Sequence, residues 1–168
     1  MIDTREIRTR IKTAELCDEF EDALQIAEPL LKNFGGRRVF HGPISTVKVF
    51  EDNSLVRDAL ESPGKGRVLV VDGGGSRRCS LLGETMARIA EDSGWAGMVI
   101  YGCIRDSAEI GKMSIGLKAL ATNPRRSIKR GEGQWEIPVS FAGVTFRPGE
   151  YLYSDDDGIV IAADALHV

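Results

Sequence analysis

The sequence predicts one α/β domain built on a mixed sheet with flanking helices. Three features lead there. Strand, loop and helix patterns alternate between Ile44 and Tyr101, consecutive short strands fill the last third, and 168 residues with no repeat or low-complexity linker suit one core.

Thr13 followed by AELCDEF reads as a capped helix over Ala14–Phe20, with Thr13 as the capping hydroxyl and Glu15 and Asp18 complementing the positive helix end. Residues 1–12 read as a loose or extended segment. A second short helical stretch is expected up to Pro29, and Asn33-Phe34-Gly35-Gly36 then breaks the pattern, with the sheet beginning beyond it. Ile44, Thr46, Val47 and Val49 form a β-branched run. Asp52-Asn53-Ser54 supplies a cap, and Leu55, Val56, Ala59 and Leu60 have helical spacing. Val68–Val71 gives the next strand, Asp72–Gly75 a glycine loop, and a helix starts near Glu84, with Met86, Ile89 and Ala90 on one face. Strand Met98–Tyr101 follows. The remaining strands are expected at Ile115–Ala121, Val139–Phe141, Val144–Phe146, Tyr151–Tyr153 and Ile159–Ile161.

The 22 Lys and Arg against 25 Asp and Glu give a net charge of -3, which offers no electrostatic reason for direct nucleic-acid binding. Three cysteines, Cys17, Cys79 and Cys103, with no CxxC pair exclude a disulfide framework and a zinc ribbon and imply a reducing compartment. Cys79 and Cys103 read as buried packing residues. No apolar run approaches the roughly 18 residues of a membrane span, and the N-terminus has no apolar signal core, so the chain reads as cytoplasmic. An Arg-bearing start leaves an organellar address open, though Asp3 and Glu6 are unusual in one.

Four segments could carry chemistry. Asp72-Gly73-Gly74-Gly75-Ser76 follows an apolar strand and could present amides to a ligand, yet it matches neither GxGxxG nor GxxxxGK[ST]; a tight turn is the other reading. Gly83-Glu84-Thr85-Met86 opens a helix whose first amides could bind an anion, unless Glu84 only complements its own helix dipole. Arg105-Asp106 follows the strand ending at Tyr101: a guanidinium can clasp a carboxylate and a neighbouring acid can hold a hard cation. The alternative is a surface ion pair or an Asp cap for the SAEI helix. Arg125, Arg126, Lys129 and Arg130 read as a solvated loop, because no aromatic residues interleave with them. Trp95 and Trp135 are isolated and suit core or subunit contacts. With only His41 and His167, a histidine zinc site or a Ser-His-Asp triad lacks material, so any metal should be oxygen-bound, Mg²⁺ or Mn²⁺.

Taken together these residues resemble the RraA-like family, which includes class II 4-hydroxy-4-methyl-2-oxoglutarate aldolases and regulators of ribonuclease activity. The likeness runs from about Thr13 to Val160 through AELCDEF, EPLLKNFGGR, TVKVFEDNSLVRDAL, GKGRVLVVDGGGS, GWAGMVIYGCIRD, FAGVTFRPGEYLY and DDDGIVI. The aldolase branch is similar in a spaced motif: an acid, Arg-Asp after twenty intervening positions, then a further acid, fitted here by Glu84, Arg105, Asp106 and Glu109. The resemblance implies a swivelling β/β/α fold and a homotrimer with sites between subunits. It also implies that Gly83, Glu84, Thr85, Met86 and Arg105 bind substrate and that Asp106 holds the divalent metal. Arg105, Glu84 and Asp106 are thereby the expected catalytic residues, with Arg105 neutralising a pyruvate enolate and Glu84 positioning a water that takes the substrate's hydroxyl proton. Oxaloacetate decarboxylation is expected as a side activity. Two departures stand out: Glu84 replaces the usual Asp, and the sequence ends at Val168, short of the segment from which larger relatives supply an acid to a neighbouring subunit. The regulatory branch implies the rival reading, a non-catalytic protein that binds a ribonuclease E-type enzyme. A methyltransferase activity finds no cofactor loop in this chain.

Overall fold

The computed structural model describes residues 11–167, so most of the segment expected to be loose, residues 1–10, lies outside the described residues. Ile11 is buried beside Leu16, Tyr153 and Val160.

The centre of the sheet is parallel. Strands β3 (Phe40–Lys48), β4 (Val68–Asp72), β6 (Gly97–Ile104) and β7 (Gly116–Thr122) lie side by side in that order. Antiparallel strands extend it on both sides: β11 (Tyr151–Ser154), β12 (Ile159–Ala162) and β1 (Leu24–Ile26) beyond β3, and β2 (Lys32–Asn33) beyond β7. Two short strands sit off this path, β5 (Ser80–Leu82) parallel to β6 and β8 (Gln134–Trp135) antiparallel to the end of β3. The mixed sheet expected from the sequence is therefore present, with β7 in its parallel centre.

Side-chain alternation divides the core into two faces. Leu69 and Val71 of β4, with Met98 and Ile100 of β6, meet helices α2 (Ser54–Glu61) and α3 (Glu84–Asp92) through Val56, Leu60, Met86 and Ala90. Val68, Val70 and Val99 point the other way, onto the hairpin of β9 (Val139–Phe141) and β10 (Val144–Phe146), where Phe141 and Phe146 stack at 4.5 Å. A helical layer, the main sheet and a small second sheet make the expected β/β/α layering. No helix among the described residues is long and apolar enough to cross a membrane.

Three local expectations are corrected. The stretch up to Pro29 is a 3₁₀ turn, Glu21–Ala23, followed by strand β1, because Leu24–Ile26 gain a hydrogen-bonded ladder against Val160–Ala162. Gln25 reinforces it by donating to the Thr145 carbonyl and accepting from the Thr145 amide. The sheet thus begins before Gly36, with β1 and β2. Thr13 is not the cap of helix α1 (Thr13–Phe20); it is the first helical residue, and its amide and hydroxyl both donate to the buried Asp155 carboxylate, at 2.7 and 2.6 Å. A charged acceptor from across the fold does the capping, and charge-assisted bonds are the stronger kind.

Candidate active site

Parallel strands end together, and their carboxyl ends are where α/β sheets collect ligand-binding groups. Here the segments after β3, β5, β6 and β7 enclose one cavity of about 590 Å³.

The link between the two sequence motifs is β5. Ser80 pairs with Cys103 and Leu82 with Ile104, and the Arg105 amide donates to the Leu82 carbonyl at 2.9 Å, which sets Gly83 beside Asp106. Helix α3 starts there, and Asp106 Oδ2 accepts from the Glu84 amide at 3.0 Å. A carboxylate thereby satisfies the first orphan donor of the helix, and its negative charge sits at the positive end of the dipole. The residues carrying the next two amides, Thr85 and Met86, line the cavity.

Gly83 is required by proximity rather than by dihedral angle, since its φ of -129° suits any residue. A Cβ there would lie 2.8 Å from Asp106 Oδ2 and 3.3 Å from Arg105 Cγ, so glycine leaves these two side chains their present positions. Asp106 itself is left-handed, φ 59° and ψ 36°, a conformation that Asp tolerates better than most and that tends to be kept where function needs it.

The structure also decides between the alternatives the sequence left open. Asp106 precedes helix α4 (Ser107–Ile110), yet its side chain makes no capping bond to that helix and turns to Glu84 instead. Arg105 forms no ion pair among the described residues; its Nη1 donates to the Pro124 carbonyl at 3.4 Å. Glu84 Oε1 takes an ion pair with Arg88 Nη2 at 2.9 Å, one turn along α3. Glu109 does not join this group: it is exposed, paired with Lys112, and absent from the cavity lining. The Asp72–Ser76 loop is a tight turn, because the amides of Gly73 and Gly75 donate to the Tyr101 carbonyl and that of Gly74 to Asp72 Oδ1. Its amides are engaged internally. His41 stacks on Tyr153 at the far half of β3, away from the cavity.

The opposite wall was not assigned from the sequence. The basic stretch is exposed as expected, but Arg126, Ser127, Ile128 and Lys129 line the cavity too, joined by Asn53 and Arg57 from the start of α2. The stretch is a strap rather than a free loop. Ser80 donates its amide to Arg125 O at 2.7 Å, Ile128 donates to Glu51 O at 3.0 Å, and Asp52 Oδ2 accepts from the amides of Arg130 and Glu132. Asp52 Oδ1 holds the amide and hydroxyl of Ser54 as well. Burial alone would push the Asp52 carboxyl up, but those bonds from Ser54, Glu132 and Arg130 outweigh it and hold the group below the usual carboxylate range.

Among the described residues no three His, Cys, Asp or Glu side chains gather as a ready-made metal cage. A hard cation that keeps most of its waters needs only one or two carboxylates, and Asp106, oriented by the Glu84 amide at the cavity wall, fits that donor set.

A β/β/α domain thus carries a cavity at the carboxyl ends of its parallel strands, walled by an Arg-Asp pair at a helix N-terminus, a set of donors that suits a small anion chemically. The chain belongs to the RraA-like family (Aldolase/RraA), which matches residues 13–161. A protein from Alkalilimnicola ehrlichii, provisionally named a 4-hydroxy-4-methyl-2-oxoglutarate aldolase, is 54% identical over 93% of this chain and 97% of its own. One of the same provisional name from Pseudomonas syringae pv. tomato is 55% identical over 92% and 95%. Two solved structures superpose with a TM-score of 0.91. One is described as an S-adenosylmethionine:2-dimethylmenaquinone methyltransferase from Geobacillus kaustophilus, 54% identical over 93% of this chain and 97% of that one. The other is described as the RNA-processing inhibitor RraA from Thermus thermophilis, 42% identical over 94% and 96%.

Proposed function

We propose that the chain is a divalent-metal-dependent lyase that cleaves 4-hydroxy-4-methyl-2-oxoglutarate, or a related 2-oxo acid, by a retro-aldol reaction. The observation that carries the reading is the Asp106–Glu84 bond, which sets Arg105, without an ion pair among the described residues, a carboxylate and a helix N-terminus against one cavity. The names of relatives 54 and 55% identical support the same activity.

In the reaction the C3–C4 bond breaks, the C4 hydroxyl loses its proton and becomes a ketone, and the electron pair passes into an enolate that gains a proton at C3, giving two pyruvates. Asp106 would hold Mg²⁺ or Mn²⁺, which supplies Lewis-acid polarisation of the 2-oxo group when bound. Arg105 binds the C1 carboxylate and neutralises the charge that grows on the enolate oxygen, a contact stronger in the transition state than in the ground state. The amides of Thr85 and Met86 supply further dipoles at the same end. Glu84, with Oε1 held by Arg88, offers its other oxygen to a water that takes the hydroxyl proton. Loss of CO₂ from oxaloacetate passes through the same enolate and is proposed as a side activity. We further propose a cytoplasmic homotrimer; the three free cysteines suit a reducing compartment.

A panel of 2-oxo acids with added Mg²⁺ or Mn²⁺, read by coupled pyruvate detection, tests the reading: chelator-sensitive pyruvate release supports it, and no release from any acid ends it. The likeness to the Thermus RNA-processing inhibitor favours one second reading, a protein that regulates a ribonuclease by contact. Co-precipitation with ribonuclease E that is unaffected by Asp106→Asn and by chelator would support that role.

A further inference from the structure

The rim of the cavity carries cations that the proposed chemistry does not use. Arg77, Arg125 and Arg130 are exposed, lie outside the lining, and their side chains make no ion pair or hydrogen bond among the described residues. Backbone contacts fix them around the opening. The Asn123 side chain donates to the Arg77 carbonyl at 2.6 Å and accepts from the Arg125 amide at 2.9 Å. The Arg125 carbonyl takes the amide of Ser80, itself a lining residue, at 2.7 Å, and Asp52 holds the Arg130 amide at 2.9 Å. Arg78, beside Arg77, is matched by Glu51 at 2.6 Å. From 125 to 132 the strap has four cations and one acid, Glu132, in a chain whose net charge is -3. Crowded like charges repel one another and cost stability. An arginine that touches nothing acts through its field, which reaches about 30 Å at 0.01 M salt and about 3 Å at 1 M.

We propose that Arg77, Arg125 and Arg130 form an electrostatic funnel that gathers small anions at the cavity mouth and hastens their capture without touching them. The proposal takes from the lyase reading only that the ligand is a small anion. Encounter is where such a field acts: it raises the local concentration of the anion and so kcat/KM, and it leaves kcat, which is set by groups in contact with the bound molecule, unchanged. The funnel therefore has a signature that neither a contact nor a packing role shares. Its effect disappears in high salt and grows with the charge removed.

The test measures oxalate, a dianion that retro-aldol chemistry cannot cleave, by calorimetry on the full chain with low, fixed Mg²⁺. Arg77→Gln combined with Arg125→Gln should weaken binding about three- to fivefold at about 0.01 M salt and leave it nearly unchanged at about 1 M. Arg77→Glu with Arg125→Glu should roughly double that effect on a logarithmic scale. Lys65→Gln with Lys32→Gln, which removes the same charge at two exposed positions away from the lining, should change little at either salt concentration. No oxalate binding by the unaltered chain, no loss in the rim variants at low salt, or a loss of equal size at both salt concentrations overturns the funnel. Salt-dependent weakening of oxalate in the rim variants, with no pyruvate release from any 2-oxo acid, leaves the funnel standing and removes the lyase reading. Pyruvate release whose kcat/KM ignores both salt and the rim substitutions does the reverse.

Discussion

The two walls of the cavity are held by different means. Gly83, Glu84, Arg105 and Asp106 hang directly from paired strand ends, with the β5–β6 ladder continuing through the Arg105 amide. The strap that carries Arg126 to Lys129 has no such ladder; it rests on two isolated bridges and on a single buried carboxylate, Asp52. The first wall is rigid because the sheet is rigid. The second is tied down by an ionised side chain, so its anchoring should respond to pH and to loss of the Asp52 carboxylate.

Asp106→Asn attacks the first wall hardest. It keeps the shape but removes the charge, and metal-dependent pyruvate release should fall about 10²–10³-fold, the scale seen when one preorganised contact is lost. Far-UV circular dichroism should stay unchanged. Gly83→Ala keeps every functional group and displaces two of them; a Cβ 2.8 Å from Asp106 Oδ2 and 3.3 Å from Arg105 Cγ pushes both side chains by tenths of an ångström, and turnover should drop by about tenfold or more. Normal turnover of this variant would show that the contact between residues 83 and 106 is not needed.

On the second wall, Asp52→Ala should cost about 2 kcal/mol or more in denaturant unfolding, because at least the amides of Arg130 and Glu132 and the Ser54 groups lose their shared acceptor. Susceptibility to proteolysis should concentrate in residues 125–132. The smallest effect is the pH response. Asp52 and Asp155 both have carboxyls held below the usual range, in each case because hydrogen bonds outweigh burial. A lowered folded value stabilises the fold above the unfolded carboxylate pKa of about 3.9, and that contribution disappears as pH falls through the folded value. Melting temperature should therefore be flat from neutral pH to about 5 and decline below about 4. In Asp52→Asn the decline should be shallower.

How much of this was legible in the sequence follows the same division. Gly83–Met86 and Arg105–Asp106 each abut a clean apolar pattern, so both segments stood out as candidate ligand groups. Their meeting was not legible from spacing alone, because it depends on β5, whose three residues Ser80–Leu82 are too few to show a period. The strap is exposed, as its composition predicts, but its place along the cavity is not legible in the sequence, for a physical reason. Its charges signal solvent, and so they should, but the carboxylate that ties it down lies 78 residues away at Asp52. Segment 24–26 failed similarly: LQIAEP carries a weak helical pattern, and only a ladder to Val160–Ala162 makes it a strand. Thr13 was read as its own helix's cap because local signals suggest that; the true acceptor, Asp155, is 142 positions on. The sequence leaves the Gly-rich loop at Asp72–Ser76 open between presented amides and a tight turn, and the acceptors at Tyr101 and Asp72 that make it a turn are not visible in the loop's composition.

The central claim is that Arg105 stabilises the enolate formed beside Asp106. It is tested most directly by comparing Arg105→Ala with the unaltered chain at saturating Mg²⁺, reading pyruvate release from 4-hydroxy-4-methyl-2-oxoglutarate. A fall in kcat of about 100-fold or more, with the metal requirement retained in what remains, is the expected result. Unchanged, metal-dependent turnover in Arg105→Ala would contradict it.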